Sequence, residues 1–365
     1  MDNCRKAYVS SKLLEQILEG ILKHKRLNEL LPWYKELWSL PGREIIPCME
    51  CPYCYDYIFY NETLTDLSGE REIDRDSLRE KLHVWKKTKK RDDALYAINN
   101  GESIFNYSEY EAEREVIYFD QNMLSDYDQK KIVFDQVSEL KKKYDFCYSP
   151  SHLEEINKII NEMDVDRLLS KVSKLTDNIF VLPRVDGYYF VKEEPKYGFQ
   201  RVRAYPGSTE AIEALKVISS SDREIFLDKY NDEIHKKDIG NSVDIFNSLS
   251  DEAFQELLFY THSSFKNKND IKEHFKRDDL LHAIYTLYNS LDLLSYKVDT
   301  KERTIKSSVH DIEHILSATK SNYFVTKDKK LYHRTRQIYG FLGIKTIVLN
   351  HNDYIEVLTS NKNLS

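Results

Sequence analysis

Apolar positions along this chain recur in two rhythms. Near the amino terminus Leu13, Leu14, Ile17, Leu18, Ile21 and Leu22 fall three and four residues apart, the spacing that lines one face of an α-helix. It predicts helix over roughly residues 10–40, closed by Pro41-Gly42. A cysteine-rich turn follows, and then a polar helical stretch centred on Leu78 to Trp85 that runs into Lys86, Lys87, Lys89, Lys90 and Arg91. Asn99-Asn100-Gly101 is a break. Residues 1–114 therefore read as a helical amino-terminal region carrying a cysteine cluster.

At Val116 the rhythm changes. Val116-Ile117-Tyr118-Phe119 is a short continuous apolar run rich in β-formers, as expected of a strand buried on both faces of a parallel sheet. Phe146-Cys147-Tyr148 is a second such run, and it leads through Ser149-Pro150 into a helix from Ser151. Much later come Tyr323-Phe324-Val325 and Thr346-Ile347-Val348-Leu349, separated by a helical segment from Lys330 to Leu342 that Gly343 closes. Strand, helix, strand in that order makes a βαβ unit, so the class is α/β, a parallel sheet flanked by helices. Residues from about 163 to 305 interrupt the alternation as a large, mostly helical insertion, with Leu280 to Leu294 as one helix. A hairpin is expected inside it, Tyr188 to Val191 facing Phe199 to Arg203. The second domain spans 115–356.

Composition narrows the function classes. The chain has 365 residues, 41% of them hydrophobic, enough for a sizeable core and for more than one folding unit. No apolar run approaches the roughly 20 residues that cross a bilayer. The start, Met1-Asp2-Asn3-Cys4-Arg5, lacks the order of a secretory signal. Five cysteines, three of them bunched at Cys48, Cys51 and Cys54, do not resemble a secreted disulfide framework. The expectation is a cytoplasmic protein with no membrane partner. A net charge of −7 leaves nucleic-acid contact to local basic patches.

Candidate chemistry lies in acids at the ends of the predicted strands. Asp120 directly follows the first buried run, where ligands bind in open parallel sheets; it reads also as a helix cap. Glu155 lies early in the helix after the second run. Its neighbour Glu154 matches a capping box with Ser151, which leaves Glu155 for the sheet edge. Asp311 forms a capping-box pattern with Ser308, yet shares one helical face with His314, Ile315 and Ala318, which puts it at the inner edge of the helix mouth. Asp328 follows its strand as Asp120 does, and it too reads as a cap. Four carboxylates brought to one edge would repel one another unless a cation sits among them. An all-oxygen set suits Mg²⁺ or Mn²⁺, which activates water and steadies charge on a phosphodiester.

These stretches resemble a family. Val116-Ile117-Tyr118-Phe119-Asp120-Gln121-Asn122 looks like the opening strand and D-x-N signature of PIN-like domains, and Ser149 to Ile156 resembles their second acidic motif. His310-Asp311-Ile312-Glu313-His314-Ile315-Leu316-Ser317-Ala318, followed by Tyr323-Phe324-Val325-Thr326-Lys327-Asp328, is similar to the third and fourth. The resemblance covers about 115–162 and 307–350. It implies a metal-dependent endonuclease, usually acting on RNA, with Asp120, Glu155, Asp311 and Asp328 as metal ligands and Asn122 and Thr326 supporting them by hydrogen bonds. The insertion and residues 1–114 have no counterpart in the compact members.

Other features extend this reading. Lys327, Lys330, Arg334 and Arg336 crowd around the fourth acid, where a phosphate backbone would enter, or else form a solvated helix face. Arg201 and Arg203 with Tyr189 and Tyr205 read as a surface for single-stranded RNA. His310 and His314 flank Asp311, as proton shuttles or as ordinary helix histidines. Cys48, Cys51 and Cys54 could supply three zinc thiolates, with Cys4 or His24 as a fourth ligand, but the usual second pair is missing, so reduced cysteines in a turn are the first expectation. The leading expectation is a metal-dependent endoribonuclease whose partner is single-stranded or structured RNA. Against it stand a PIN-like binding or scaffold protein that does not cleave, and a non-nuclease phosphohydrolase. A homo-oligomer or a regulatory protein partner stays open.

Overall fold

The computed structural model describes residues 2–23, 52–67, 74–99, 101, 103, 105–129, 134–159, 161–184, 186–205, 220–230, 244–273, 277–297 and 304–359. They divide into two compact units, one of Met1–Ser103 with Arg203–Tyr205, the other of Ile104–Val202 with Pro206–Ser365. Among the described residues no helix is long and apolar enough to cross a membrane.

The first unit contains α1 (Asp2–Lys23), α2 (Pro52–Leu67) and α3 (Arg75–Asn99). Ala7, Leu14, Leu18 and Ile21 are fully buried along one face of α1, against Cys54, Tyr60 and Leu64 of α2 and Leu78 and Leu82 of α3. The basic run is partly internal stitching. Lys86 reaches Glu15 and Glu19 on α1 at 3.1 and 2.9 Å, and Lys89 reaches the buried Asp56 at 2.5 Å. Residues 24–40 of the expected first helix lie outside the described residues, as do His24, Pro41-Gly42, Cys48 and Cys51. Cys54 sits within helix α2 rather than in a turn, its side chain buried in that apolar cluster.

The second unit is built on β1 (Tyr107–Glu109), β2 (Val116–Phe119), α4 (Gln121–Asp128), α5 (Phe134–Lys141), β3 (Asp145–Cys147), α6 (Pro150–Asn157) and α7 (Glu162–Thr176). The chain continues through β4 (Ile179–Arg184), β5 (Gly187–Glu193), α8 (Pro195–Ala204), α9 (Ser220–Lys229), α10 (Ile245–Ser248), α11 (Asp251–Tyr260), α12 (Lys268–Glu273) and α13 (Arg277–Leu293). It closes with α14 (Thr304–Ala318), β6 (Tyr323–Thr326), α15 (Lys329–Leu342), β7 (Ile347–Asn350) and α16 (Tyr354–Thr359).

Four strands pair in parallel in the order β3-β2-β6-β7. The apolar run of β2 explains their placement, because all four of its residues are buried and they alternate between two cores. Val116 and Tyr118 face α11, α13, α14 and α15; Ile117 and Phe119 face α4 to α8 and α16. Both sheet faces are therefore covered by helices, which is why the strand sequences lack polar alternation. A three-stranded antiparallel sheet, β1-β5-β4, continues beyond β3 through a single parallel bridge between Tyr148 and Phe180.

The hairpin differs from the expected one. Tyr188 to Val191 do form a strand, but its partner is Phe180 to Pro183, upstream of it. Phe199 to Arg203 are helical, and Phe199 and Val202 turn one buried face inward at a spacing of three. Pro195 at the first helical position favours that start.

Gly343 caps α15 in the left-handed conformation at φ 69°, and Ile344 N–H bonds back to the Tyr339 carbonyl at 2.9 Å. A Cβ there would meet no neighbouring atom, so the penalty is conformational alone. Gly343→Ala is expected to destabilise the second unit by about 1 kcal/mol, read as a lower urea midpoint with an unchanged slope.

Candidate functional site

The chain passes from β2 to β3 on one side and returns to β6 on the other, so the sheet's switch point lies between β2 and β6. Connections diverge at such a point, and the crevice left at the strands' carboxyl ends is where ligands bind in open parallel sheets. Asp120 and Asp328 stand there, each one or two residues past its strand.

Asp120 is 1% exposed and is the N-cap of α4. Its Oδ1 accepts the Met123 N–H at 2.8 Å and its Oδ2 accepts the Thr326 hydroxyl at 2.6 Å. The same Thr326 oxygen accepts the Asp328 N–H at 3.0 Å, so one buried hydroxyl ties the two acids together. Asp328 is the N-cap of α15, its Oδ1 accepting from Lys330 and Leu331 N–H at 2.7 and 3.0 Å. Capping and convergence thus coexist at both positions.

Asp311 lies in the third turn of α14, not at its mouth, because the helix begins at Thr304. Ser308 is therefore a helix-interior residue rather than an N-cap. Ile312, Ile315 and Ala318 hold the helix against the sheet, and Asp311 Oδ2 accepts the Tyr288 hydroxyl at 2.7 Å. Glu155 is arranged differently. It pairs with Lys158 at 2.5 Å and approaches His310 Nε2 at 3.4 Å. The helix that carries it starts at Pro150, with Ser149 as cap and His152 as the reciprocal partner, so Glu154 is not held by the capping box expected with Ser151. A Pro at the first helical position moves the start forward by two residues.

Burial pushes the Asp120 carboxyl up to about 6, and the neighbouring Asp328 adds to the rise against the hydrogen bonds from Thr326 and the Met123 and Lys327 amides. Asp311 is likewise pushed up to about 6 by burial, opposed by its bond from Tyr288 and reinforced by Asp328. Asp328 is therefore felt by both other aspartates. Among the described residues, however, the group of potential ligand atoms that all approach within 4.8 Å is Glu154, His310 and Glu313; the three aspartates are spread more widely.

The supporting and basic residues separate into distinct roles. Thr326 makes the hydrogen bonds just described, whereas Asn122 is exposed on the first turn of α4 and makes none of them. Lys327 is exposed and pairs with Asp126 at 2.6 Å, Lys330 lowers the pKa of Asp311 by its charge, and Arg336 is exposed beside the Tyr332 hydroxyl. Arg334 is fully buried and bound to Asp292, so it is not the phosphate contact its sequence position suggests. Arg201 is held by both oxygens of Glu193, at 2.7 and 2.5 Å, which removes it from the stacking surface expected with Tyr189.

His314, and residues that sequence reasoning passed over, complete the picture. His314 Nδ1, the Tyr118 hydroxyl, Ser149 Oγ and His152 Nδ1 form a buried chain with separations of 2.7, 2.7 and 3.2 Å. His152 Nε2 donates to the Phe119 carbonyl at 2.7 Å, bracing the peptide next to Asp120. Burial lowers both histidines, His152 to about 4, which favours their neutral forms. Tyr288 carries no sequence signature, since its partner Asp311 is distant in the chain; Glu313 pairs with His310 at helical spacing and was legible only as that. No family model, curated protein or solved structure matches this chain.

Proposed function

We propose that the second unit is a PIN-like, metal-dependent endonuclease that hydrolyses phosphodiester bonds, with RNA as its substrate. The observation that carries this reading is the placement of Asp120 and Asp328 at the strand switch point, joined by Thr326, with Asp311 in the same electrostatic field. Two carboxyls pushed up to about 6 by burial and like charge form a site that a divalent cation would relieve. The donor set is all oxygen, and Mg²⁺ or Mn²⁺ binds through one or two carboxylates while keeping several waters.

Asp120, Asp311 and Asp328 would hold the ion, while Glu155, expected as a fourth ligand, is engaged with Lys158 and His310. A bound ion supplies charge stabilisation to the phosphoryl oxygens and lowers the pKa of water. This chain's own residues do the positioning. Thr326 orients Asp120, the α4 amide of Met123 fixes its other oxygen, and Tyr288 holds Asp311. Lys327 and Lys330 give the rim the positive charge a phosphate backbone needs.

The test incubates the full chain with single-stranded RNA, single-stranded DNA and a phosphate monoester, each with Mn²⁺ or EDTA. RNA cleavage that requires Mn²⁺ supports the reading; RNA binding with no cleavage under any metal points to a scaffold instead. Stability offers a second check. Because ligand binding to the folded state stabilises by mass action, Mn²⁺ at one hundred times its dissociation constant should add about 2.7 kcal/mol. A melting temperature unmoved by millimolar Mn²⁺, or one raised equally in Asp328→Asn, would count against the assigned ligands.

A further inference from the structure

The clearest ligand geometry in the second unit lies outside the three aspartates. α14 packs against α6, and between them Glu154, His310 and Glu313 bring their ligand atoms within 4.8 Å of one another. His310 and Glu313 are three residues apart on one helix, hence on one face, and Glu154 comes from the other helix. His310 is 7% exposed, and its Nδ1 has no hydrogen-bond partner. That nitrogen points between the two carboxylates, 3.9 Å from Glu154 Oε2 and 3.7 Å from Glu313 Oε2.

We infer that Glu154, His310 and Glu313 form a second metal site, selective for a transition-metal dication of the Zn²⁺ type. Two ligands of one Zn²⁺, each about 2.0–2.2 Å from it, stand no more than about twice that distance apart. The two measured separations already fall inside this limit. Both are longer than an ordinary direct hydrogen bond. A nitrogen donor with two carboxylates favours Zn²⁺ over Mg²⁺, and three protein ligands leave a fourth position for water.

The ring's other nitrogen accepts from Lys158 Nζ at 2.8 Å and lies 3.4 Å from Glu155 Oε1; on metal binding the second N–H would turn to that carboxylate, as ligating histidines commonly do. Lys158, which bonds both Nε2 and Glu155, stands at the exposed end of α6 and would have to leave Nε2 as that N–H forms. The site would clamp α6 to α14 through residues that neighbour Glu155 and Asp311 in sequence. Glu155 then serves as a positioning residue for His310. The inference stands on this geometry and not on the nuclease reading.

The experiment measures Zn²⁺ binding to the full chain by competition with a chromophoric chelator, in the wild type and in Asp120→Asn/Asp328→Asn, where the switch-point acids are disabled. Both should bind one equivalent, and Co²⁺ in its place should show the visible absorption of a low-coordinate nitrogen-ligated ion. His310→Ala and Glu313→Gln, each checked for folding by circular dichroism, should weaken Zn²⁺ at least tenfold; the near-isosteric Glu313→Gln carries the test if His310→Ala does not fold. Failure of the wild type to bind a stoichiometric ion overturns the site, as does undiminished binding in Glu313→Gln. Loss of binding in Asp120→Asn/Asp328→Asn would place the ion at the switch point instead.

Discussion

Asp120→Asn is expected to lower RNA cleavage by about 10²–10³-fold or more, the range for loss of one preorganised electrostatic contact, while raising the stability of the metal-free chain. The two effects have one origin. Asn keeps the cap, because its carbonyl oxygen accepts the Met123 N–H that Asp120 Oδ1 accepts now. It gives up the negative charge, which is 1% exposed and has neutral hydrogen-bond partners in Thr326 and the Met123 and Lys327 amides.

The pH dependence follows from the direction of the shift. Burial raises the folded pKa of Asp120 from 3.8 to about 6, so between those values the folded state binds more protons than the unfolded state. Stability then falls as pH rises through that window, and the destabilisation is complete above it. A shift of this size corresponds to about 3 kcal/mol, of which the charge's attraction to the α4 N-terminus, included in the folded pKa, is already a part. Melting curves in EDTA should show the wild type losing stability relative to Asp120→Asn between pH 4 and 6, with the difference constant at pH 7. In Mn²⁺ the order should reverse, since only the wild type gains from the ion. A variant that melts lower than wild type in EDTA at pH 7 would show that the charge is compensated inside the fold.

What the sequence disclosed and what it withheld divide along physical lines. The apolar runs at Val116 to Phe119 and Tyr323 to Val325 were legible as buried parallel strands because both sheet faces are covered by helices. Asp120 and Asp328 were legible for the same reason, since a strand's carboxyl end is a position readable from its last apolar residue. Local rules competed at Ser149 to Glu155. Ser151-x-x-Glu154 and Ser149-x-x-His152 are both plausible caps, and Pro150 decided for the second. Asp311 was misplaced by two turns because the helix extends back through Thr304, where no capping pattern announced it. Tyr288, Glu193 and Asp292 act through partners remote in the chain or on a neighbouring element, and no spacing rule reaches them. Basic residues near Asp328 illustrate the same limit, because charge alone does not say which side of a helix faces solvent.

Arg334 makes that last point testable. Read along the chain it belongs with Lys330 and Arg336 as a phosphate contact; in the fold it is fully buried, its Nη2 donating to Asp292 and to the Tyr296 carbonyl at 3.0 Å. Its guanidinium also lies over the Tyr288 ring at 4.6 Å, and that tyrosine is the donor to Asp311. Removing one member of a buried ion pair leaves the other uncompensated and typically costs 3–5 kcal/mol. Asp292 keeps 23% exposure, and Nε and Nη1 of Arg334 are themselves buried without partners, so the lower end applies. Arg334→Met should therefore destabilise by about 3 kcal/mol, which lowers the melting temperature by roughly 6–12 °C for a domain of this size. Asp292→Asn in the same chain should restore part of the loss, because the stranded carboxylate is then neutral. At temperatures where the variant is folded, its affinity for single-stranded RNA should equal that of the wild type, whereas Lys330→Met should weaken it and flatten its salt dependence. An Arg334→Met chain that melts normally but binds RNA poorly would return Arg334 to the surface and overturn the burial on which this assignment rests.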